Sequence, residues 1–182
     1  RDAFGKTKAR ILTEQERKDD PIFAYRSALM RGDMDLREYN LYNWRGGGGS
    51  LWFAPVSQAR GSETLKQMEL TKRILAKHGL DYNGEFIVGM REMHHIVDML
   101  FDKTDPAMTK AAYACFDELL TTFSAEGYGT YRVNTAFMDK VADSYGPVQR
   151  RVHRTLKAAL DPNGILAPGK SGIRLDAPQK KS

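Results

Sequence analysis

Gly-Glu-Phe-Ile-Val-Gly-Met-Arg-Glu-Met-His-His, residues 84 to 95, reads as two strands joined by a tight turn. Phe86, Ile87 and Val88 have the aromatic and β-branched character of a strand, and Gly89 interrupts them. The apolar run then resumes through Ile96, Val97, Met99, Leu100 and Phe101, so strands are predicted at about 82–88 and 91–101. Upstream, Ser62 opens a helical pattern with Leu65, Met68, Leu70, Ile74 and Leu75, stopped by Gly79. Before that helix, Leu51 to Val56 reads as a strand, and Pro55 puts it at an edge or a strand end. Downstream, Asp105-Pro106 starts a helix with Met108, Ala112, Cys115, Leu119 and Phe123 on one face, ending near Gly127. Tyr128 to Val133 closes the series as a short strand. The order β-α-β-β-α-β predicts an α+β fold, a ferredoxin-like antiparallel sheet with helices on one face. The other face is left free to cover something.

Around this core, helices are expected at 8–18 and 21–31, and after it at 135–144 and 147–160, followed by an irregular tail that frays over its last eight or so residues. Val148, Val152, Leu156 and Leu160 would point inward from the last helix, leaving Arg150, Arg151, Arg154 and Lys157 in solvent. Three segments result: residues 1–50 with N-terminal helices and a glycine loop, 51–134 as the sheet core, and 135–182 as C-terminal helices and tail. The 182 residues, 41% hydrophobic and 28% charged, suit one ordinary core-forming domain. The net charge of +5 comes without a nucleic-acid recognition motif, and no run is long enough to span a bilayer. One cysteine excludes an internal disulfide, and four histidines show no zinc-ligand spacing. The chain opens on Arg1, which suggests a fragment or a processed chain.

Several residues carry candidate chemistry. If Gly89-Met90 forms a glycine-first turn, Val88 pairs with Arg91, and Glu85 falls opposite His94 on one face of the pleat. A carboxylate beside an imidazole is a general-base unit; a solvated surface pair is the plainer reading of the same residues. Tyr131-Arg132 could hold a planar anion by O–H donation and charge, or could simply sit at a sheet edge. Gly169-Lys170-Ser171 lacks the earlier glycine and the strand–loop–helix setting of a phosphate loop, so nucleoside triphosphate hydrolysis is rejected. Both tryptophans, Trp44 and Trp52, flank Gly46 to Gly49 and Ser50. That run is either a flexible linker or a backbone passing close to something flat.

Residues 161 to 172, Asp-Pro-Asn-Gly-Ile-Leu-Ala-Pro-Gly-Lys-Ser-Gly, resemble the C-terminal signature of vanillyl-alcohol-oxidase-type FAD-linked oxidoreductases. Leu-Trp-Phe-Ala-Pro-Val (51–56), Glu-Phe-Ile-Val (85–88), Met-His-His (93–95), Tyr-Arg-Val-Asn-Thr (131–135) and Asp-Ser-Tyr-Gly-Pro-Val (143–148) are similar to the 4-cresol dehydrogenase and eugenol hydroxylase branch. The resemblance covers about residues 40 to 173 and corresponds to the last third of such a flavoprotein, its cap domain and returning tail, without the FAD-binding domain. It implies that a 4-alkylphenol is bound as phenolate, loses hydride to FAD, and forms a quinone methide that water attacks. By position it assigns Tyr131 and Arg132 to the phenolate, with Arg132 also beside the flavin. Glu85, His94 and Glu38 go near the benzylic carbon, and Tyr42 becomes a covalent FAD tether, since Ser50 stands where the oxidase branch has histidine. Lys170 is a cofactor contact that replaces the arginine favoured by the resemblance and loses its bidentate fork. The glycine loop would then pass close beside the flavin ring. The implied partners are a haem-bearing c-type cytochrome subunit, the rest of the flavoprotein and a second flavoprotein copy, in a bacterial periplasm or else the cytoplasm. An oxygen-using oxidase of the same family and a non-catalytic ferredoxin-like binding module are the alternatives.

Overall fold

The computed structural model describes residues 12–34 and 37–175, without the side chains of Glu38 and Tyr39. The chain forms two compact units, residues 1–41 and 42–182, so the glycine loop belongs to the second unit and the division precedes residue 50. In the first unit, α1 (Glu14–Asp19) starts with a capping box in which Thr13 and Glu16 satisfy each other's backbone amides. Asp20 caps α2 (Pro21–Met30), with Pro21 in the first turn, where a missing N–H costs nothing. The expected helix at 8–18 is thus seen from Glu14; residues 8–11 and 176–182 lie outside the described residues.

The second unit holds β1 (Gly49–Phe53), β2 (Pro55–Gln58), α3 (Gly61–Lys77), β3 (Gly84–Val88), β4 (Glu92–Phe101), α4 (Pro106–Ala125) and β5 (Gly129–Thr130), then α5 (Met138–Asp143) and α6 (Pro147–Leu160). Both β1 and β2 run antiparallel to β4 in one continuous register, Phe53 opposite Val97 and Val56 opposite His94. They are one strand interrupted at Ala54, just before Pro55, which has no N–H for the ladder. β3 pairs with the other edge of β4, and β5 pairs with β2. Taken as four strands, the sheet has the order of a ferredoxin-like fold, as expected. The last strand is shorter than expected: only Gly129 and Thr130 pair, and residues 131–134 continue as a loop.

The register divides the sheet into two faces. Leu51, Phe53, Val97, Met99 and Phe101 join Leu70, Ile74, Leu75, Cys115, Phe116, Leu119 and Phe123 in one buried cluster beneath α3 and α4. Asp105 caps α4, its carboxylate accepting from the amides of Ala107 and Met108 at 2.7 and 3.3 Å. α3 starts from Arg60, which makes no side-chain cap, rather than from Ser62. Cys115 is fully buried, and burial pushes its thiol up to about 12, which leaves it a packing residue.

α6 departs from expectation. Val148, Val152, Leu156 and Leu160 are 47 to 76% exposed, so its apolar stripe is not covered by the chain's own core. The basic residues beside it serve local structure: Arg150 donates to the carbonyls of Tyr145 and Asp143, and Lys157 pairs with Asp161. The Asp161 carboxylate also accepts from the amides of Ile165 and Leu166 at 3.0 and 2.9 Å, which folds the tail turn around it. Lys157 foremost holds that carboxyl below the usual range.

His95 is the buried histidine of β4, on the helix side, and burial lowers its imidazole to about 4 from 6.5. Between these values the unfolded chain binds a proton that the folded ring refuses. Stability is therefore full above pH 6.5 and falls as pH drops toward about 4. The expected loss approaches ~3 kcal/mol. Denaturant melts across this window should show the decline, and His95→Gln should flatten it; an unchanged slope in the variant would assign the decline to other groups.

Candidate active site

The even-numbered residues of β4 face away from the helices. On this face Ile96, Asp98 and Leu100 are buried, yet they stand apart from the main core. Trp52 lies directly opposite Asp98, and Val56 opposite His94. Tyr131 and Arg132 come onto the face from the loop after β5, anchored where the Tyr131 amide donates to the Ala54 carbonyl at 3.3 Å.

A row of planar groups results. Tyr42 meets Trp52 edge-on with ring centroids 6.2 Å apart. The Arg132 guanidinium lies 5.4 Å from the Trp52 centroid and 5.1 Å from that of Tyr131. Tyr131 in turn stacks on His94 at 4.5 Å. One face thus gathers a phenol, a guanidinium, an imidazole and an indole, a set able to hold a flat anion by stacking, O–H donation and charge.

The hairpin register differs from expectation. The Gly89 amide donates to the Glu92 carbonyl at 2.9 Å, so the two-residue turn is Met90-Arg91. Glu85 lies opposite Ile96, and His94 opposite Ile87. Gly89 has no positive φ and lies between the end of β3 and the turn, so it is not the first turn residue. A slip of two residues keeps Glu85 and His94 on one face as diagonal neighbours, with Cβ atoms about 7–8 Å apart rather than in contact. The gap leaves room for a third group between them.

The glycine run also has a nearer explanation than a flavin ring. Gly46, Gly47 and Gly48 have φ of 81, 63 and 63°, which favours glycine at each. A Cβ on Gly47 would fall 1.8 Å from the Asp102 carboxylate, and one on Gly49 would fall 2.5 Å from the Phe101 carbonyl. The close approach is to the chain's own β4 end. Trp44 and Arg45 fasten the start of this loop to Asp81, Arg45 at 2.7 Å, and Arg45 foremost holds the Asp81 carboxyl below its usual range.

Asp98 was missed by sequence reasoning. Its Oδ1 accepts from the Ser50 hydroxyl at 2.7 Å, and its buried Oδ2 has no partner among the described residues. Burial raises its carboxyl, against the lowering effect of Ser50. The signal was a lone carboxylate inside the apolar run 96–101. The role of Trp52 in bridging Tyr42 and Arg132 was likewise unforeseen. Lys170 is exposed in a 3₁₀ turn, Lys170–Gly172, that packs on α5 through Ser171 and Gly172, and no hydrogen bond among the described residues joins it to this face. The side chain of Glu38 lies outside the described residues. A cleft of about 280 Å³ lined by Phe53, Phe123, Thr130, Lys140 and Val141 lies on the helix side and is separate from the site. Among the described residues, no group of three or more His, Cys, Asp or Glu could hold a metal ion, and no helix is long and apolar enough to cross a membrane.

Comparison with known proteins shows the family. The 4-cresol dehydrogenase [hydroxylating] flavoprotein subunit of Pseudomonas putida is 58% identical over 176 residues, covering 96% of this chain and 34% of that protein. A 1'-carboxy-chondrochloren decarboxylase of Chondromyces crocatus is 27% identical over 134 residues, 71% of this chain and 24% of that protein. The crystal structure of p-cresol methylhydroxylase with substrate bound superposes with a TM-score of 0.81 at 59% identity, over 91% of this chain and 32% of that one. The 4-ethylphenol oxidase of Gulosibacter chungangensis, in an isoeugenol complex, gives 0.78 at 42% identity, over 91% and 32%. The chain therefore spans about a third of the length of the 4-cresol dehydrogenase subunit. The model of the C-terminal domain of FAD-linked oxidases matches residues 3–171. By that match, and by its identity to the Pseudomonas putida subunit over nearly its whole length, this chain belongs to the FAD-linked oxidases, as their C-terminal domain.

Proposed function

We propose that the protein carrying this chain is an FAD-dependent 4-alkylphenol dehydrogenase of the hydroxylating type, and that this chain forms the substrate-facing cap. The observation that carries the reading is the row Tyr42, Trp52, Arg132, Tyr131 and His94 on one sheet face. The Asp98 carboxylate lies opposite Trp52 on the same face, held by the Ser50 hydroxyl. An aromatic wall next to a guanidinium fits an isoalloxazine and a phenolate.

The residues divide the chemistry. Tyr131 donates its O–H to the phenolate oxygen and Arg132 balances the charge, so the substrate is held ionised. A phenolate lone pair can then move into the ring as hydride leaves the benzylic carbon, giving a neutral quinone methide. FAD, when bound, accepts that hydride. Water enters the gap between Glu85 and His94, its oxygen bonds to the methide carbon, and its proton passes to Glu85, His94 or Glu38. The ring oxygen regains its charge and the product is a benzylic alcohol. Tyr42 is the proposed covalent anchor for FAD, and Lys170 a proposed cofactor contact from the tail. The electrons go on to a c-type cytochrome subunit, which holds the haem. The remaining proposed partners are the rest of the flavoprotein and a second flavoprotein copy, in the periplasm or the cytoplasm.

A second reading, an oxygen-using oxidase, is supported by the 42% identity to the 4-ethylphenol oxidase. Denaturing mass spectrometry of the intact flavoprotein separates the two. A flavin-sized addition on the Tyr42 peptide, lost in Tyr42→Phe, is the expected result. FAD released unbound on denaturation would move the assignment to the oxidase, and a protein purified without flavin would defeat both.

A further inference from the structure

Behind the sheet, on the side away from the candidate site, four polar atoms lie in a fully buried interface. Both amide atoms of Gln67, Oγ1 of Thr71 and Nδ1 of His95 have no hydrogen-bond partner among the described residues, and all three residues are 0% exposed. Such a concentration of unpaired buried polar atoms is foreign to native interiors unless something bonds to them.

These atoms share one neighbourhood. Two contacts register α3 against β4: Thr64 Oγ1 lies 3.0 Å from Met93 Sδ, and Lys72 Nζ lies 5.1 Å from the centre of the Tyr82 ring. Tyr82 is itself bonded to His95, with its hydroxyl 2.9 Å from Nε2. α3 follows β2, which is antiparallel to β4, so α3 runs back in the β4 direction. From the Thr64–Met93 contact, Gln67 lies about 4.5 Å and Thr71 about 10.5 Å along the helix, at 1.5 Å per residue. His95 lies about 6.6 Å along its strand, at about 3.3 Å per residue, between those two levels. Gln67 and Thr71, one turn apart, share the inward face of α3.

We propose that Gln67, Thr71 and His95 form a binding site for internal water between α3 and the sheet. With the Tyr82 hydroxyl as the donor to Nε2 of His95, the ring hydrogen sits on Nδ1 and requires an acceptor there. A water oxygen accepts from Nδ1–H, and its two protons go to Gln67 Oε1 and Thr71 Oγ1. The Gln67 amide nitrogen donates to a second water. The first water then has three protein partners, the number buried waters usually have. The ring is held from its other side by Phe86, stacked at 4.2 Å. Phe86 lies in β3 and Tyr82 two residues before it, so the bridged cluster fastens that edge strand to α3. It does so whether or not Glu85, on the opposite face of β3, is the base.

A high-resolution crystal structure of the intact flavoprotein tests the site directly. Water density about 2.7–3.2 Å from His95 Nδ1, and equally close to Gln67 or Thr71, is expected. A Gln67 amide bonded straight to His95 without intervening density, or a dry interface, would overturn the proposal. Substitution supplies an independent measure. Gln67→Leu should abolish that density and lower the melting temperature by about 2–4 °C, because the His95 N–H is left without its bridge. Water density kept at His95 Nδ1 in the Gln67→Leu/Thr71→Val double variant would show that these two side chains do not hold it.

Discussion

Replacing Arg132 by glutamine in the intact flavoprotein should lower the rate constant of flavin reduction by a 4-alkylphenol about 10²–10³-fold, the usual effect of removing a preorganised charge at a developing transition state. The guanidinium lies against two flat partners, Trp52 at 5.4 Å and Tyr131 at 5.1 Å, so it is positioned before any substrate arrives. Glutamine keeps the hydrogen-bonding tip and loses the charge. Arg132→Lys keeps the charge and loses both the planar fork and the stacking, so it should retain part of the rate, falling about tenfold. The side chain is exposed and unpaired with the core, and the melting temperature should move little in either variant. Stopped-flow reduction under anaerobic conditions measures the step without the later electron transfer. If glutamine reduces the flavin as fast as arginine does, the phenolate is held by something other than this loop.

Parts of this arrangement were legible in the residues, for physical reasons that can be named. The element order followed from period-two and helical apolar spacing together with Asp105-Pro106, Gly79 and Gly127, all of which act within a few residues along the chain. The register of the central hairpin depended on whether Gly89 was the first turn residue or the residue flanking the turn, and sequence does not separate the two. The resulting slip of two kept Glu85 and His94 on one face because side-chain alternation has period two. Asp98 was overlooked because a buried carboxylate resembles a strand interruption until its neighbours are known; only the fold brings Ser50 to it. Gly47 and Gly49 looked like a loop shaped to a ligand, yet what they accommodate is Asp102 and Phe101, more than fifty residues away in sequence. Val148, Val152, Leu156 and Leu160 form a correct amphipathic stripe whose cover is not in this chain's core. Periodicity reports which face is apolar and cannot report what lies against it.

Phe53 should prove the most costly core residue to truncate. It is 0% exposed, lies opposite Val97 in the ladder, and presents its ring edge-on to Phe116 at 5.9 Å and to Phe123 at 4.9 Å. One side chain thus joins the sheet to two positions on one face of α4, two turns apart. Phe53→Ala removes the transfer energy of the ring and leaves a cavity that rigid neighbours fill only in part, a loss of about 3–5 kcal/mol. Each edge-to-face pair adds about 0.5–1.5 kcal/mol beyond area burial, which places the expected value toward the upper end. At about 2–4 °C per kcal/mol, the melting temperature should fall by about 6–20 °C. Phe53→Leu, which keeps much of the volume, should cost less than half as much. The preceding residue, Trp52, points to the opposite face and meets Tyr42 and Arg132 there. Below its melting temperature the alanine variant should therefore reduce flavin at nearly the normal rate. That separation is the stronger part of the test: the alternation of β1 assigns stability to one side of the strand and chemistry to the other. A fully folded Phe53→Ala protein with reduction slowed as much as in Arg132→Gln would show that the two faces are coupled and that the division drawn from the register is wrong.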